Sequence, residues 1–482
     1  MAFRKIPVNV PFWSNAEDES KVIVAEQRRD VMKDALGATI RRPGYSLFNS
    51  DLSEPVAGQY YWEYKDLVYV VAENNLYSLS ESGVLTQVGT TVFGEGNNVS
   101  WDESGDLTLV TPGATRKLFA SNGDRIVVYD GITASKLNGA NDPVESSHIL
   151  IFDTYCLSNE LSDPKWDESI LRTKVAEPTN FEGEFFSAEN KADPIKAMHS
   201  AWDEIALFGS KVLEHFYNNG VDPFLAIPGG NVPQGTLSPW TIKLADNAWF
   251  LLNRNRRLIR IDGRQATVLS QAIDDILSTS PDAENAVGEV ITLNGSTLYL
   301  LTVNDRTFVY DFAINEFVGE WGFWSTTTAT YEKFKPRNFL NVEPWGITLC
   351  TDKDNGNIYK LDFDESRDNG ELIRSSVITG WLDHNTGREK RSNELRFKLK
   401  RGKMAKTTKG QIEPKMFVQF RDNGSKVWNN PFEIPLGFKG DDEFYYSIFQ
   451  LGSYRSRQYE IFCTENIPFS IVDVEEDVDL LR

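Results

Sequence analysis

The 482-residue sequence predicts an all-β chain: a six- or seven-bladed β-propeller followed by a smaller antiparallel β-sandwich-like domain. Three observations predict it. Apolar runs of about 4 to 6 residues, rich in Val, Ile, Leu, Tyr and Trp, recur between Gly, Asn, Asp and Ser. Helical periodicity is scarce. Hairpin-like pairs of these runs begin about 40 to 55 residues apart up to residue 365, after which the runs lengthen and lose that spacing.

Residues 1–50 read as an N-terminal segment, and its stretch "ESKVIVAEQRRDVMKDALG" fits a strand or a helix equally well. Residues 51–365 read as the propeller. Its hairpins are "DLVYVVAENNLYSLS", "DLTLVTPGATRKLFA", "HILIFDTYCLSN", "DEIALFGSKVLEHFYNNG", "DNAWFLLNRNRRLIRIDG", "GSTLYLLTVNDRTFVYDF" and "WGITLCTDKDNGNIYKLDF". A hairpin has one apolar face that it cannot bury alone, whereas a ring of blades buries each face against a neighbour and leaves short sheet edges. Asp130, Asp262 and Asp311 recur between paired runs. Asp, Asn and Gly suit tight hairpin turns, so these acids read as architecture, not as ligands. "SQAIDDIL" predicts one short helix between two blades, with Ala272, Ile273, Ile276 and Leu277 on one face and Ser270 as N-cap. Residues 366–482, with "SSVITGWL", "ELRFKLK", "KMFVQF", "EFYYSIFQL" and "RQYEIFC", alternate as half-buried strands and read as the β-sandwich-like domain.

Composition narrows the function. An apolar fraction of 40%, with 12 Trp, 17 Tyr and 29 Phe, is ample for a packed core. No run approaches the roughly 18 uncharged apolar residues of a membrane helix, and the start lacks a secretory h-region, so a soluble chain made in a cytoplasm is expected. Cys156, Cys350 and Cys463 have no partner at metal or redox spacing and read as reduced core residues. His148, His199, His215 and His384 show no close pair of the metal-binding kind. No nucleophile elbow, P-loop or dinucleotide fingerprint is present, so no catalytic, metal or cofactor-binding residue is assigned and the chain reads as a non-enzyme. Adjacent acids such as Asp274 and Asp275, or Glu475 and Glu476, read as solvated faces in a chain with 70 carboxylates. The net charge of −20 opposes tight binding of nucleic acid, whose affinity rests on Lys and Arg.

One segment runs against that charge. Residues 388–410, "REKRSNELRFKLKRGKMAKTTKG", hold ten Lys or Arg and two Glu. Arg388, Lys390, Arg391, Arg396, Lys398, Lys400, Arg401 and Lys403 are therefore the candidate contact to an acidic surface of a neighbouring subunit or adaptor protein. The bland reading of the same stretch is a solvated strand and loop.

"FRDNGSKVW" resembles the Asp-box turn of sialidase propellers, with Arg421, Asn423 and Ser425 where Ser, Asp and Gly are expected. This supports an alternative reading, a carbohydrate-active or carbohydrate-binding propeller. A broader resemblance is carried, in order, by "RRPGYSLF", "IFDTYCLSNELSDPKWDES", "FFSAENKADPIKAM", "DEIALFGSKVLEHFYNNG", "GTLSPWTIKLADNAWFLLNRNRRLIRIDGRQATVLSQAIDDIL", "FVYDFAINEFVGEW", "QFRDNGSKVW" and "LGSYRSRQYEIF". Together these resemble the packaged-DNA stabilisation proteins, the tail hub or nozzle subunits of short-tailed bacteriophages. Thr154, Asn423 and Ser425 depart from the family's pattern. The resemblance implies a structural virion protein of the phage tail, made in the bacterial cytoplasm and without a cofactor or small-molecule substrate. It implies a homohexameric ring beneath the portal and its adaptor, in contact with tail fibre, spike or needle proteins. Such a ring would retain packaged DNA and pass it, without sequence-specific binding, at ejection.

Overall fold

The computed structural model describes residues 4–7, 27–34, 37–96, 98–106, 115–188, 193–220, 224–293, 295–400, 411–440, 445–468 and 470–481. Seven antiparallel four-stranded units follow one another along them. Blade 1 runs from strand Gly58–Trp62 to Leu85–Gly89, blade 2 from Ser100–Glu103 to Ala134–Lys136, and blade 3 from Ile149–Phe152 to Glu177–Ser187. Blade 4 runs from Ile195–Ala201 to Leu225–Ala226, blade 5 from Lys243–Ala245 to Gln265–Val268, and blade 6 from Val287–Leu293 to Glu316–Trp321. Blade 7 takes three strands from Pro336–Val342, Ile347–Asp352 and Ile358–Asp362, and its fourth from Gly44–Asn49, near the start of the chain.

The sequence settles local turns before it settles the ring. Glu73 and Asn74, Trp202 and Asp203, and Asp246 and Asn247 all have positive φ, the signature of two-residue hairpin turns whose twist matches the strands they join. Asp130 Oδ1 accepts from the backbone N–H of Ile132 and Thr133 at 2.9 and 2.7 Å, and Asp311 Oδ1 accepts from Ala313 N at 2.8 Å. These acids fold their own turns, as expected. The "DLTLVTPGATRKLFA" hairpin falls largely outside the described residues, where only its strand Leu118–Ser121 is seen.

Each blade interface has its own apolar core. Trp62, Tyr69 and Val71 meet Leu118 and Val127 between blades 1 and 2, Phe119 and Val128 meet Cys156 and Leu171 between 2 and 3, and Leu157 meets Leu207 and Phe216 between 3 and 4. Phe208 meets Trp249 between 4 and 5, Phe250 meets Tyr299 between 5 and 6, Leu300 and Val318 meet Cys350 and Tyr359 between 6 and 7, and Leu349 meets Val70 where blade 7 closes on blade 1. All three cysteines are buried and free. The expected helix appears between blades 5 and 6 as a 3₁₀ turn Ser270–Ile273 and an α-helix Asp274–Thr279, with Ile273 and Leu277 in that interface. Ser270 does not cap it: its hydroxyl accepts from Leu258 N and donates to Asp274, and the α-helix begins four residues later.

Beyond the propeller two sheets face each other. One contains Lys390–Lys400 between Ser470–Leu480 and Tyr445–Tyr454; the other contains Ser375–Ile378, Arg457–Cys463, Lys415–Asp422 and Phe432–Pro435. Leu395, Phe397 and Leu399 of the first pack on Met416, Val418, Tyr459 and Ile461 of the second, which makes a sandwich. The second sheet is continuous with blade 6, because strand Gln27–Arg29 pairs with Glu316–Trp321 on one side and with Ser375–Ile378 on the other.

The ambiguous N-terminal stretch is therefore strand where it is described, at Gln27–Arg29 and Val31–Lys33, and the residues before Gln27 in it lie outside the described residues. Segment 1–50 is also not separate from the propeller, since Gly44–Asn49 completes blade 7 and Val31 enters the sandwich core. Two arginines of "RRPGYSLF" hold this junction. Arg42 Nε donates to Asp30 Oδ1 at 2.7 Å, its Nη atoms donate to both oxygens of Asp368 at 2.8 and 2.6 Å, and Nη2 also reaches Gly322 O at 3.0 Å. The three charged side chains are about 1% exposed or less. Burial pulls the Arg42 guanidinium down, but Asp368 and Asp30 outweigh it and hold the pKa above its ordinary value. Arg41 donates into the sandwich, to Ser375 Oγ at 3.2 Å and to the carbonyls of Cys463, Glu465 and Ile467. Gly44 follows because a Cβ there would stand 2.3 Å from Arg367 O. Arg42→Ala leaves two buried carboxylates facing each other and is expected to destabilise the chain by about 3–5 kcal/mol; a shift in denaturant-derived stability below about 1 kcal/mol would contradict this.

Candidate functional site

The first strand of every blade lines the propeller axis, where the seven surround an open cavity of about 490 Å³. Gln59 and Tyr60 come from blade 1, Trp101 and Asp102 from blade 2, and His148 and Ile149 from blade 3. Met198 and His199 come from blade 4, Lys243 from blade 5, Glu289 from blade 6, and Asn338 and Phe339 from blade 7. Trp240, in the 3₁₀ turn Pro239–Thr241 that leads into blade 5, stacks on His148 with ring centroids 4.7 Å apart.

Polar groups on one side of this ring clasp adjacent blades. Asp102 Oδ2 accepts from Ile151 N of blade 3 at 2.6 Å, Glu289 Oε1 from Phe339 N of blade 7 at 2.9 Å, and Gln59 of blade 1 donates to Asn338 O. Buried backbone donors thus meet side-chain acceptors at two blade boundaries, and a side-chain donor meets a backbone carbonyl at a third. The other side differs. There Lys243 is half-buried, with the Glu289 carboxyl as its charge partner, and His199 Nε2 is buried with no partner, as are Gln59 Oε1 and Trp101 Nε1 across the ring. Burial lowers the pKa of Lys243, with Glu289 opposing, and raises that of Glu289. Burial pushes Asp102 up to about 6. Burial, with Lys243 adding to it, pushes His148 down to about 4; burial, His148 and Lys243 push His199 down to about 3.

Sequence spacing missed this ring because its members lie on seven different strands. The signal was present only as the blade period, which places one residue per blade at the same depth. Among the described residues no group of three or more His, Cys, Asp or Glu could hold a metal ion.

The basic segment meets an acidic strand of its own chain. In the antiparallel register Arg391 faces Asp479, Arg396 faces Glu475 and Lys398 faces Asp473. Arg396 also pairs with Glu394 at 2.9 Å, and Lys400 pairs with Asp34 at 2.7 Å. Lys390 points inward: it is fully buried and donates to the carbonyls of Thr386, Arg388 and Arg455 at 2.7, 2.8 and 2.6 Å. A bulge between Ser392 and Glu394 is the reason, since one extra residue reverses the in-and-out alternation and turns Lys390 to the core side. Arg388 and Arg391 are exposed, Lys398 is half-buried, and Arg401 and Lys403 lie outside the described residues.

The Asp-box-like turn is structural here. Asp422 accepts from Arg457 at 2.7 Å, and Asn423, at φ 54°, accepts from Arg455 N and Ser456 N. Arg457 lies 3.9 Å from the centroid of the Phe420 ring. Glu476, expected on a solvated face, is instead buried, accepting from Tyr454, Tyr459 and His384 at 3.0, 2.7 and 3.2 Å. The sandwich core has room for a carboxylate only because those three donors surround it.

The fold is that of a seven-bladed β-propeller joined to a β-sandwich. Residues 32–366 match the family described as "Bacteriophage P22 Gp10, beta-propeller", and the chain belongs to this phage stabilisation family. The matched span coincides with the propeller and its N-terminal closing strand. It makes the chain a virion-associated, DNA-stabilising structural protein, for which a non-enzymatic role is the reading. No curated protein matches the sequence. Among solved structures the Neurospora crassa Pan2 WD40 domain is similar, with a TM-score of 0.41 and 8% identity over 66% of this chain and 96% of that one.

The axial histidines predict an acid sensitivity. Unfolded rings bind protons below about pH 6.5 while the folded His148 does not, so its contribution to stability is full above that pH and is lost as pH falls toward 4. Asp102 acts in the opposite sense. Replacing His148 by Gln is expected to reduce the stability lost between pH 6.5 and 4 by on the order of 3 kcal/mol; equal acid sensitivity of the two proteins contradicts the assignment.

Proposed function

We propose that the chain is a tail hub, or nozzle, subunit that retains packaged DNA and forms part of its exit conduit. The family match over residues 32–366 carries this reading. It is a homohexameric ring beneath the portal and its adaptor, touching fibre, spike or needle proteins, within the tail of a virion. A cavity of about 490 Å³ on the propeller axis is too small for a duplex, so the conduit runs between subunits and not through a propeller. Six copies at −20 bring about −120 formal charges around it, and like-charge repulsion keeps phosphate from adhering to the wall. DNA then passes without sequence-specific contact.

The basic segment supplies one edge of the subunit interface. Among the described residues Arg388, Arg391 and Lys398 form no side-chain ion pair, and they remain for a neighbouring acidic surface. Cryo-electron microscopy of virion tails tests the reading: a sixfold ring of propellers under the adaptor is expected, and absence of the chain from the tail overturns it. Replacing Arg388, Arg391 and Lys398 together by Ser is expected to weaken assembly of the ring, with the deficit shrinking as salt rises. Assembly that is unchanged at every salt concentration contradicts this interface.

A further inference from the structure

Each blade is a four-stranded antiparallel sheet, so the turn after its first strand and the turn after its third leave the propeller on the same face. On that face three successive blades carry apolar tips. Ile132 stands between strands Val127–Tyr129 and Ala134–Lys136 of blade 2, Val175 between Ser169–Lys174 and Glu177–Ser187 of blade 3, and Trp202 between Ile195–Ala201 and Glu204–Gly209 of blade 4. They are 82%, 62% and 52% exposed. A single exposed apolar residue is ordinary, but a row of them across one face marks an interaction site. The tips of blades 3 and 4 adjoin, since Asn218 Nδ2 donates to Asp153 Oδ2 at 2.6 Å. The row is acidic as well. Asp153, Glu177 and Asp203 are exposed and, among the described residues, form no ion pair, while Lys174 beside Val175 is already paired with Glu182.

The sandwich presents the complementary surface. On the outer face of its first sheet Tyr445 stands opposite Lys398 and Phe449 opposite Glu394, both on an edge strand, and both rings are more than half exposed. Arg391 shares that face, and Arg388 precedes it. Aromatic rings with cations match apolar tips with carboxylates in both respects. Position matches too. The sandwich joins the ring at blades 6 and 7, through Gln27–Arg29 and through the pairing of Asp368 with Tyr45, so it lies across the axis from blade 3. We propose that the outer sandwich face of one copy seats on the hairpin tips of blades 2–4 of a second copy. Unlike surfaces on opposite edges are what a closed head-to-tail ring requires. The interface rests on the hub reading above and adds to it the acidic surface that the basic segment meets.

Charge-swap rescue in phage particles tests it, with copies of the chain per virion, counted by quantitative mass spectrometry, as the readout. Arg391→Glu with Lys398→Glu is expected to lower that number by about tenfold or more, and so is Asp153→Lys with Glu177→Lys and Asp203→Lys. All five replacements in one chain pair the two faces again, and are expected to restore the number to within about twofold of native. The variant chains are expected to keep the native Tm, since all five positions lie at the surface. The interface is overturned if both sets leave the number unchanged, or if the five together do no better than either set alone. Should a variant fail to fold, zero-length carbodiimide coupling of native tails still decides. It is expected to join Lys398 of one copy to Asp153, Glu177 or Asp203 of the next, and absence of every such link contradicts the interface. A native tail that holds the sixfold ring while rescue fails overturns this interface and leaves the hub reading standing, whereas a tail without the chain overturns both.

Discussion

One guanidinium holds three parts of this molecule together. Arg42 binds Asp30 of the N-terminal segment, Asp368 of the connector and the Gly322 carbonyl at the end of blade 6. A buried ion triad contributes little stability by itself, because desolvating three charges offsets most of their attraction. Its value here is geometric. With five donors in a fixed fork, Arg42 can be satisfied only when segment, propeller and sandwich connector are all in register. Arg41, one residue earlier, carries the same chain into the sandwich through three backbone carbonyls. The strand that follows closes blade 7, so ring closure and domain docking depend on the same few residues.

Such an arrangement suits a structural part of a phage particle. Closing a ring with a strand from the far end of the chain converts seven separable hairpin units into one circle, and no blade can leave without breaking two apolar interfaces. The sheet that runs from blade 6 through Gln27–Arg29 into the sandwich transmits load through backbone hydrogen bonds as well as side chains. Charge is also kept local: the basic strand Lys390–Lys400 lies against the acidic strand Ser470–Leu480.

What the sequence showed plainly was whatever is encoded within about 20 residues. The paired runs within the described residues, the Asp turns at 130 and 311 and the bridging helix have local causes, and they appear in the fold. What it hid depends on distant partners. Arg42 and Asp368 are separated by 326 positions and Gln59 and Asn338 by 279, so neither contact leaves a trace in local periodicity. Lys390 was hidden for another reason, since alternation in "RFKLK" is true from Leu395 onward but is reversed by the bulge before it. The axial arc of His148, His199 and Lys243 was invisible because three unremarkable residues converge only when three blades close on one axis.

The central structural claim is that propeller and sandwich form one body through the N-terminal segment. Hydrogen exchange of the native chain across a denaturant series tests it most directly, following strand Ile347–Asp352 of blade 7 and strand Lys390–Lys400 of the sandwich. The account predicts that both strands lose protection together, at one denaturant concentration. Loss of protection in the sandwich strand while the blade strand remains protected would show two independent bodies and contradict it.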